Sequence, residues 1–511
     1  MPEPVTEPQC RRVAGGALTA WGAPELPVLW FLGLLLALLL LRESTLLSDL
    51  DIGWLLRSGE LIWQQGRLPE TDVFSFTQTD KHWFLYQWGF EIYLWGLHQI
   101  GGLGGAIWGG AVLVALTYGL LLYFVLSLGL PRLLSLGLTI LAATATSHYW
   151  YSRPGTATFL LYLLVLVLLE NYRRAPGRQL WWLPPLFLLW ANVHIGFVMG
   201  LMAVSVYGLW GWLSPEDFRG MGASRDLRPL QVLPLCLLAL LANPHGLHLL
   251  PYVTHSACTP YLNDSILEHQ SPNFHSPILL FFLLQINLLL WLPVSRYPAR
   301  RLFLTLLTIT LGLALYSVRH ITLFSLTATL VLAYQLKYCW GYQAPEPLAP
   351  PGRGWAWGGV GAALSLLLVA GVNHWQPGHY SFITRNVPTG AAAFLKSQAS
   401  AARPIKVFCQ DDQWTSYLIY ELYPGMRVFL DTRYDFYGEA FIKTAVKVRD
   451  QARYNPQVLN PWGVDFLLLK KGEFTSRPEA KPDWAMAYED EQVLLYRHLP
   501  AGAMPVHVRQ Q

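Results

Sequence analysis

Long uncharged apolar blocks constrain this chain more than any other feature. Val28–Leu41, Thr156–Leu169 and Leu302–Val318 carry no charged side chain. Crossing the hydrocarbon core of a bilayer takes roughly 20 predominantly apolar residues per helix. The 511-residue chain is 53% hydrophobic and 13% charged, against about 25% charged in ordinary soluble domains. The blocks predict a mainly α membrane protein with about eleven spans. They lie near 26–43, 103–129, 133–147, 156–170, 180–192, 196–212, 230–243, 276–293, 302–318, 321–337 and 355–372. Arg11 and Arg12 before the first block resemble the start of a signal peptide. The block ends in Arg42-Glu43 with no small-residue cleavage site, so it is read as a span.

The loops carry a second signal. Arg11/Arg12, Arg132, Arg173/Arg174/Arg178, Arg219/Arg225/Arg228, Arg296/Arg300/Arg301 and Lys337/Arg353 fall in alternate connections. Basic loops favour the cytoplasmic side. The intervening connections hold Asp49/Asp51, His148/Arg153, Asn192/His194, Asn243/His245, His255, Glu268/His269 and Arg319/His320. Polar groups with chemistry therefore gather on one face, the outer one. The net charge of +4 gives no reason to expect nucleic acid. Five cysteines, Cys10, Cys236, Cys258, Cys339 and Cys409, show neither metal-binding spacing nor a disulfide framework.

Residues 1–372 form the predicted transmembrane domain, with a first outer loop at 44–102. Ala344–Gly354, rich in proline and glycine, reads as a loop. Residues 373–511 alternate strand and helix patterns and predict a small α/β outer domain. Its expected strands are Val428–Leu430, Phe466–Leu469 and Gln492–His498, and its helices Trp414–Tyr423 and Glu439–Arg449.

In the first outer loop, Ser48-Asp49-Leu50-Asp51 puts two carboxylates at the end of a span. Ile52, Leu55, Leu56, Gly59, Ile62 and Trp63 then share one helical face, and Arg57, Glu60 and Gln64 the other. That pattern predicts an amphipathic helix lying in the interface. The acids have two readings. They cap the helix and solvate the loop, or they supply a general base within reach of a hydroxyl. Asp72 and Ser75 read as turn residues. Arg153, at a membrane edge, either snorkels or pairs with an acid or a phosphate. Asn192, His194, Asn243 and His245 each read singly as caps or interfacial residues. Glu268 reads as a loop residue or a second acid. Asp431 and Arg433 flank a strand end, as an internal ion pair or as acceptor contacts.

Asp49–Glu91, with Pro69, Asp72, Phe74-Ser75 and Trp88, resembles the first outer loop of a bacterial branch of GT-C-fold glycosyltransferases. The resemblance continues through Asn192-Val193-His194, Asn243-Pro244-His245-Gly246, Ser271-Pro272 and Arg319-His320. It reaches Trp414–Tyr420, Asp431-Thr432-Arg433 and Tyr437-Gly438 in the outer domain. Two positions depart from it: Leu55, where relatives often carry His, and Thr432, where they often carry Gly. The first tells against a metal site in the loop.

The resemblance implies an inverting transfer from a polyprenyl-phosphate-linked sugar to an acceptor hydroxyl, outside a bacterial inner membrane. It assigns the base to Asp51 with Asp49, and the donor phosphate to Arg153, Arg319 and His320. It gives substrate orientation to His194, His148 and Glu268, and the acceptor to Asp431 and Arg433. It calls for no certain cofactor and leaves a divalent metal open. The partners it implies are membrane lipids and the lipid-linked sugar. Two other functions remain: a transporter or flippase of a lipid-linked glycan, and a non-catalytic scaffold in an envelope assembly. Polar groups at loop edges, not at mid-membrane, disfavour the transporter.

Overall fold

The computed structural model describes residues 25–40, 49–218, 225–257, 259, 261, 266–292, 297, 299–340, 342, 354–376, 380–382, 387–452, 454–472 and 483–499. Expectations resting on Cys10, Arg11, Arg12, Arg42-Glu43, Ser48, Arg219, Cys258, Arg296 and residues 344–353, and on the side chain of His255, fall outside the described residues.

A helix stands at each of the eleven apolar blocks. They are α1 (Leu26–Leu40), α3 (Trp88–Ser127), α4 (Arg132–Thr146), α5 (Pro154–Arg174), α6 (Leu183–Val193) and α7 (Phe197–Leu213), then α8 (Arg228–Leu240), α10 (Leu280–Trp291), α11 (Arg300–Tyr316), α12 (Ile321–Cys339) and α13 (Gly354–Trp375). Three of them, α3, α5 and α13, are long and apolar enough to cross a membrane, and α1, α7, α8 and α10 are shorter apolar helices. Two further helices are α2 (Ile52–Gln65) in the first outer loop and α9 (Leu249–Ala257). α12 is buried along almost its whole length, as expected of a helix that is apolar all round. Two of its threonines return their hydroxyls to backbone carbonyls four residues back, Thr327 to Leu323 and Thr329 to Ser325. α3 breaks at Gly101-Gly102, where Gly102 has φ 58° and ψ −149°. A Cβ there would lie 2.6 Å from the Asn373 amide, so the break and its packing on α13 both need glycine.

The C-terminal part holds α14 (Thr389–Gln398), β1 (Ile405–Cys409), α15 (Asp412–Leu422), β2 (Met426–Val428), α16 (Tyr434–Tyr437), α17 (Glu439–Ala452), β3 (Phe466–Lys470), β4 (Trp484–Glu489) and β5 (Val493–His498). The sheet order is β2-β1-β3-β5-β4. β1 runs parallel to β2 and β3, while β5 is antiparallel to β3 and β4. Only Val428 of the expected Val428–Leu430 strand is in β2. β1 and β4 were not expected from the sequence.

The first outer loop is bound into this sheet. Phe76 N–H donates to the Val428 carbonyl and Val428 N–H to the Phe74 carbonyl, both at 3.0 Å. The loop thereby covers the edge at β2. α2 follows suit, and here the sequence reading needs correcting. Its apolar face is covered by protein, not laid on lipid: Ile52, Leu55, Leu56 and Ile62 are buried while Trp63 is exposed. Two glycines permit the close fit. A Cβ on Gly59 would lie 2.2 Å from the Glu91 carbonyl oxygen, and one on Gly53 2.2 Å from that of Ser416. Gly53→Ala must therefore push α2 off α15. Overpacking of this kind costs about 1–3 kcal/mol. Thermal unfolding in detergent is expected to show a lower midpoint, and an unchanged midpoint would mean the two helices are not fixed against each other.

Candidate functional site

The ends of several elements that the sequence assigned to one face converge on one cavity of about 740 Å³. Asp51, just before α2, opens into it together with Arg153, Glu268, His194, Arg319 and His320. The loop before α5, the α6–α7 turn, the segment before α10 and the α11–α12 turn are thus brought together, with the outer domain above.

At its floor, Arg153 sits among three carboxylates. Its Nη2 donates to Asp49 Oδ1 at 2.6 Å and contacts Asp51 Oδ2 at 2.8 Å. Its Nε reaches Asp49 Oδ2 and its Nη1 reaches Glu268 Oε1. The Tyr149 hydroxyl donates to the other Glu268 oxygen, and the Tyr151 ring lies 5.4 Å from the guanidinium. Arg153 is the N-cap residue of α5, held extended before Pro154, which sends its side chain back toward the acids. Its donors are largely taken up by carboxylates. That corrects the expectation that Arg153 receives the donor phosphate.

The two aspartates differ. Asp49 is buried and accepts the backbone N–H of Asp51 at 3.1 Å. It is not among the residues lining the cavity. Burial pushes its carboxyl up to about 6 despite the pull of Arg153. Asp51 faces the cavity. Its Oδ1 accepts the Thr432 hydroxyl at 2.5 Å, and Thr432 lies 3.2 Å from Ser416. A carboxylate offers about four lone-pair positions. Thr432 and Arg153 occupy two, leaving the rest for a hydroxyl in the cavity.

Across the cavity, Arg319 Nη1 lies 2.6 Å from His269 Nε2. Among the described residues no carboxylate pairs with Arg319. Burial, then the field of Arg319, depresses the neighbouring imidazoles: His194 and His320 to about 3, His269 to about 4. They are neutral at physiological pH, which leaves Arg319 as the cation of that wall. His194 has a defined tautomer. Its Nδ1 accepts Gly196 N–H at 3.1 Å and lies 2.8 Å from the Thr158 hydroxyl, which accepts from Trp190 Nε1 at 3.0 Å. The network assigns the ring proton to Nε2. Glu268 sits below the ordinary carboxylate range, since Arg153 and Tyr149 more than offset its burial.

Other expectations fare differently. His148 is not among the cavity-lining residues. Its ring stands edge-on to Tyr149, with centroids 6.5 Å apart. Asp431 is fully buried and saturated. Its Oδ1 accepts Arg433 N–H at 3.0 Å and Nε at 2.9 Å; its Oδ2 accepts Arg433 Nη2 at 2.6 Å and Tyr437 O–H at 2.9 Å. Arg433 also donates to Asp72 Oδ1 at 2.7 Å and lies 4.4 Å from the Trp83 ring. This is an internal brace between the first outer loop and the outer domain, so Asp431 is not available to an acceptor. Asp72 also accepts the N–H groups of Phe74 and Ser75, both at 3.0 Å, as a turn residue does. Asn192 accepts from Trp88 Nε1 at 2.9 Å and Asn243 donates to the Ala191 carbonyl at 2.8 Å. His245 stacks on Phe84 with centroids 3.8 Å apart. All three are braces.

Tyr149, Thr432 and Tyr434 reach the cavity without having been expected as site residues. Only their proximity to Arg153 and Asp431 in sequence pointed to them. Among the described residues, no group of three His, Cys, Asp or Glu converges to hold a metal ion. The space between Asp49, Asp51 and Glu268 is filled by the Arg153 guanidinium. The donor set therefore does not fit a divalent cation there.

No family model matches the chain, and no curated protein does. Solved structures do. ArnT from Cupriavidus metallidurans bound to undecaprenyl phosphate matches with a TM-score of 0.51 at 12% identity, over 96% of this chain and 100% of that one. The same protein in its apo state matches with a TM-score of 0.51 at 12% identity, over 94% and 98%. An oligosaccharyltransferase from Archaeoglobus fulgidus gives a TM-score of 0.48 at 10% identity, over 94% and 75%. The chain thus has the fold of ArnT, the GT-C fold that its motifs resemble.

Proposed function

We propose that this protein transfers a sugar from a polyprenyl-phosphate-linked donor to an acceptor hydroxyl, with inversion. The observation that carries the reading is the shared cavity: Asp51, an acid with open lone pairs, and Arg319, a cation with no carboxylate partner among the described residues, both line it. In this reading Asp51 takes the proton of the acceptor hydroxyl as its oxygen attacks the anomeric carbon. The bond from that carbon to the phosphate oxygen breaks, and the polyprenyl phosphate leaves with the electron pair. Arg319 stabilises the charge gathering on it, because a preorganised cation in a shielded site acts where charge develops. A single displacement, with base and leaving group on opposite faces of the sugar, inverts the anomeric carbon.

The Nε2–H of His194 and the ring of His320 orient the substrates. Glu268 and Asp49 hold Arg153, which in turn positions Asp51. The eleven helices at the apolar blocks cross the inner membrane of a bacterium, with the N-terminus cytoplasmic and residues 373–511 as the extracytoplasmic domain. Val198, Met199, Leu313 and Leu323 line the cavity beside the polar groups, an apolar wall suited to a lipid-linked donor. The undecaprenyl phosphate bound to ArnT, similar in fold, supports this choice of carrier.

A charge-assisted bond to phosphate contributes about 1.5–3 kcal/mol. Arg319→Gln is therefore expected to weaken undecaprenyl phosphate binding by about 10- to 100-fold in a titration of purified protein. Unchanged affinity would remove Arg319 from the phosphate site.

A further inference from the structure

A second cavity, of about 270 Å³, opens in the outer domain. Its position follows from strand order. From β1 the chain turns through α15 to β2 on one side, while β3 lies on the other side and leads on to β4 and β5. In open α/β sheets ligands bind at the carboxyl ends of strands where the connections diverge in this way. Gln410 directly follows β1 and Lys470 ends β3, and both line the cavity. Gln410 N–H donates to the Leu468 carbonyl at 3.0 Å, and Lys470 N–H donates to Gln410 Oε1 at 3.1 Å. These bonds fix the crevice floor.

The rest of the lining is polar on every side: Asp411, Asp412, Gln413, Tyr434 and Arg449. Asp412 Oδ2 accepts Tyr434 O–H and Arg449 Nη1, each at 2.9 Å. Two acids face two bases, so the crevice is formally neutral and favours neither anion nor cation. Planar carboxylates, amides and a guanidinium suit paired hydroxyls on a ring. The volume lies just under the ~300–1,000 Å³ common for small-molecule sites, enough for one ring. Gln413 and Tyr434 line this crevice and the main cavity alike. They form the partition between them, on the side of Asp51 and Thr432.

We propose that this crevice is a carbohydrate subsite, and that the acceptor is a saccharide with one ring seated here while the neighbouring ring offers its hydroxyl to Asp51. The proposal rests on the transferase reading above and names its acceptor class.

The test is saturation-transfer NMR on the full chain in nanodiscs, with millimolar methyl glycosides of glucose, galactose, mannose and N-acetylglucosamine as probes. At least one glycoside is expected to receive saturation from the wild-type protein. The signal should fall at least fivefold in Gln413→Leu and in Arg449→Gln, and persist in Asp51→Asn. Gln413 is exposed, so its variant keeps the fold even where Arg449→Gln does not. Absence of saturation with all four glycosides, or equal saturation in wild type and Gln413→Leu, overturns the subsite. Sugar binding in a protein whose Asp51→Asn variant still transfers would instead overturn the mechanism and leave the subsite standing.

Discussion

Asp51→Asn is expected to lower sugar transfer by about 10²- to 10⁴-fold, the usual contribution of a positioned general base. Asparagine matches the shape of aspartate. Its carbonyl oxygen still accepts the Thr432 hydroxyl, and Arg153 keeps Asp49 and Glu268. The cavity therefore survives while the base is gone. Undecaprenyl phosphate binding should stay within about twofold of wild type, because Arg319 and its wall are untouched. Transfer assays paired with lipid titration check both halves. Unchanged transfer excludes Asp51 from the chemistry. Loss of both activities together with a lower melting point would make Asp51 a structural acid.

Arg433→Met should act on stability. Asp431 and Asp72 are both fully buried, and Arg433 is the cation that pairs them. Removing one partner from a buried ionic network costs about 3–5 kcal/mol, since charges are left uncompensated. The guanidinium also packs on Phe74, Trp83 and Phe436, which methionine replaces only in part. The unfolding midpoint is expected to drop by on the order of ten degrees, with the first outer loop released from the outer domain. A variant with wild-type melting but impaired acceptor use would restore Arg433 as an acceptor contact.

The sequence carried the helices, and the gathering of polar loop residues around one cavity, because one strong force writes both. Lipid excludes charge, so apolar runs mark α3, α5 and α13, and charges collect where the runs end. What it could not carry was pairing. Arg153 is 104 residues from Asp49 and 115 from Glu268, and no local pattern links them. Pairing with an acid was one reading of Arg153 and the resemblance gave it a phosphate; the structure sets three carboxylates around it. The same blindness put α2 on lipid. An amphipathic face looks alike whether lipid or protein covers it, and the cover comes from α3 and from α15, the latter hundreds of residues along the chain. β1 was missed because Ile405-Lys406-Val407-Phe408-Cys409 is short and gains its strand character from neighbours on both sides. Asp431 and Arg433 were open to both readings; burial makes Asp431 a brace, while Arg433 braces and also lines the cavity.

Transfer by this route requires a lipid phosphate to meet Arg319 in the cavity that Asp51 also lines. A structure of the protein with undecaprenyl phosphate bound tests it most directly. The expected density has the phosphate within about 2.7–3.2 Å of the Arg319 guanidinium, with the prenyl chain running along Leu313 and Leu323. A phosphate seated outside this cavity, with Arg319 untouched, would contradict it.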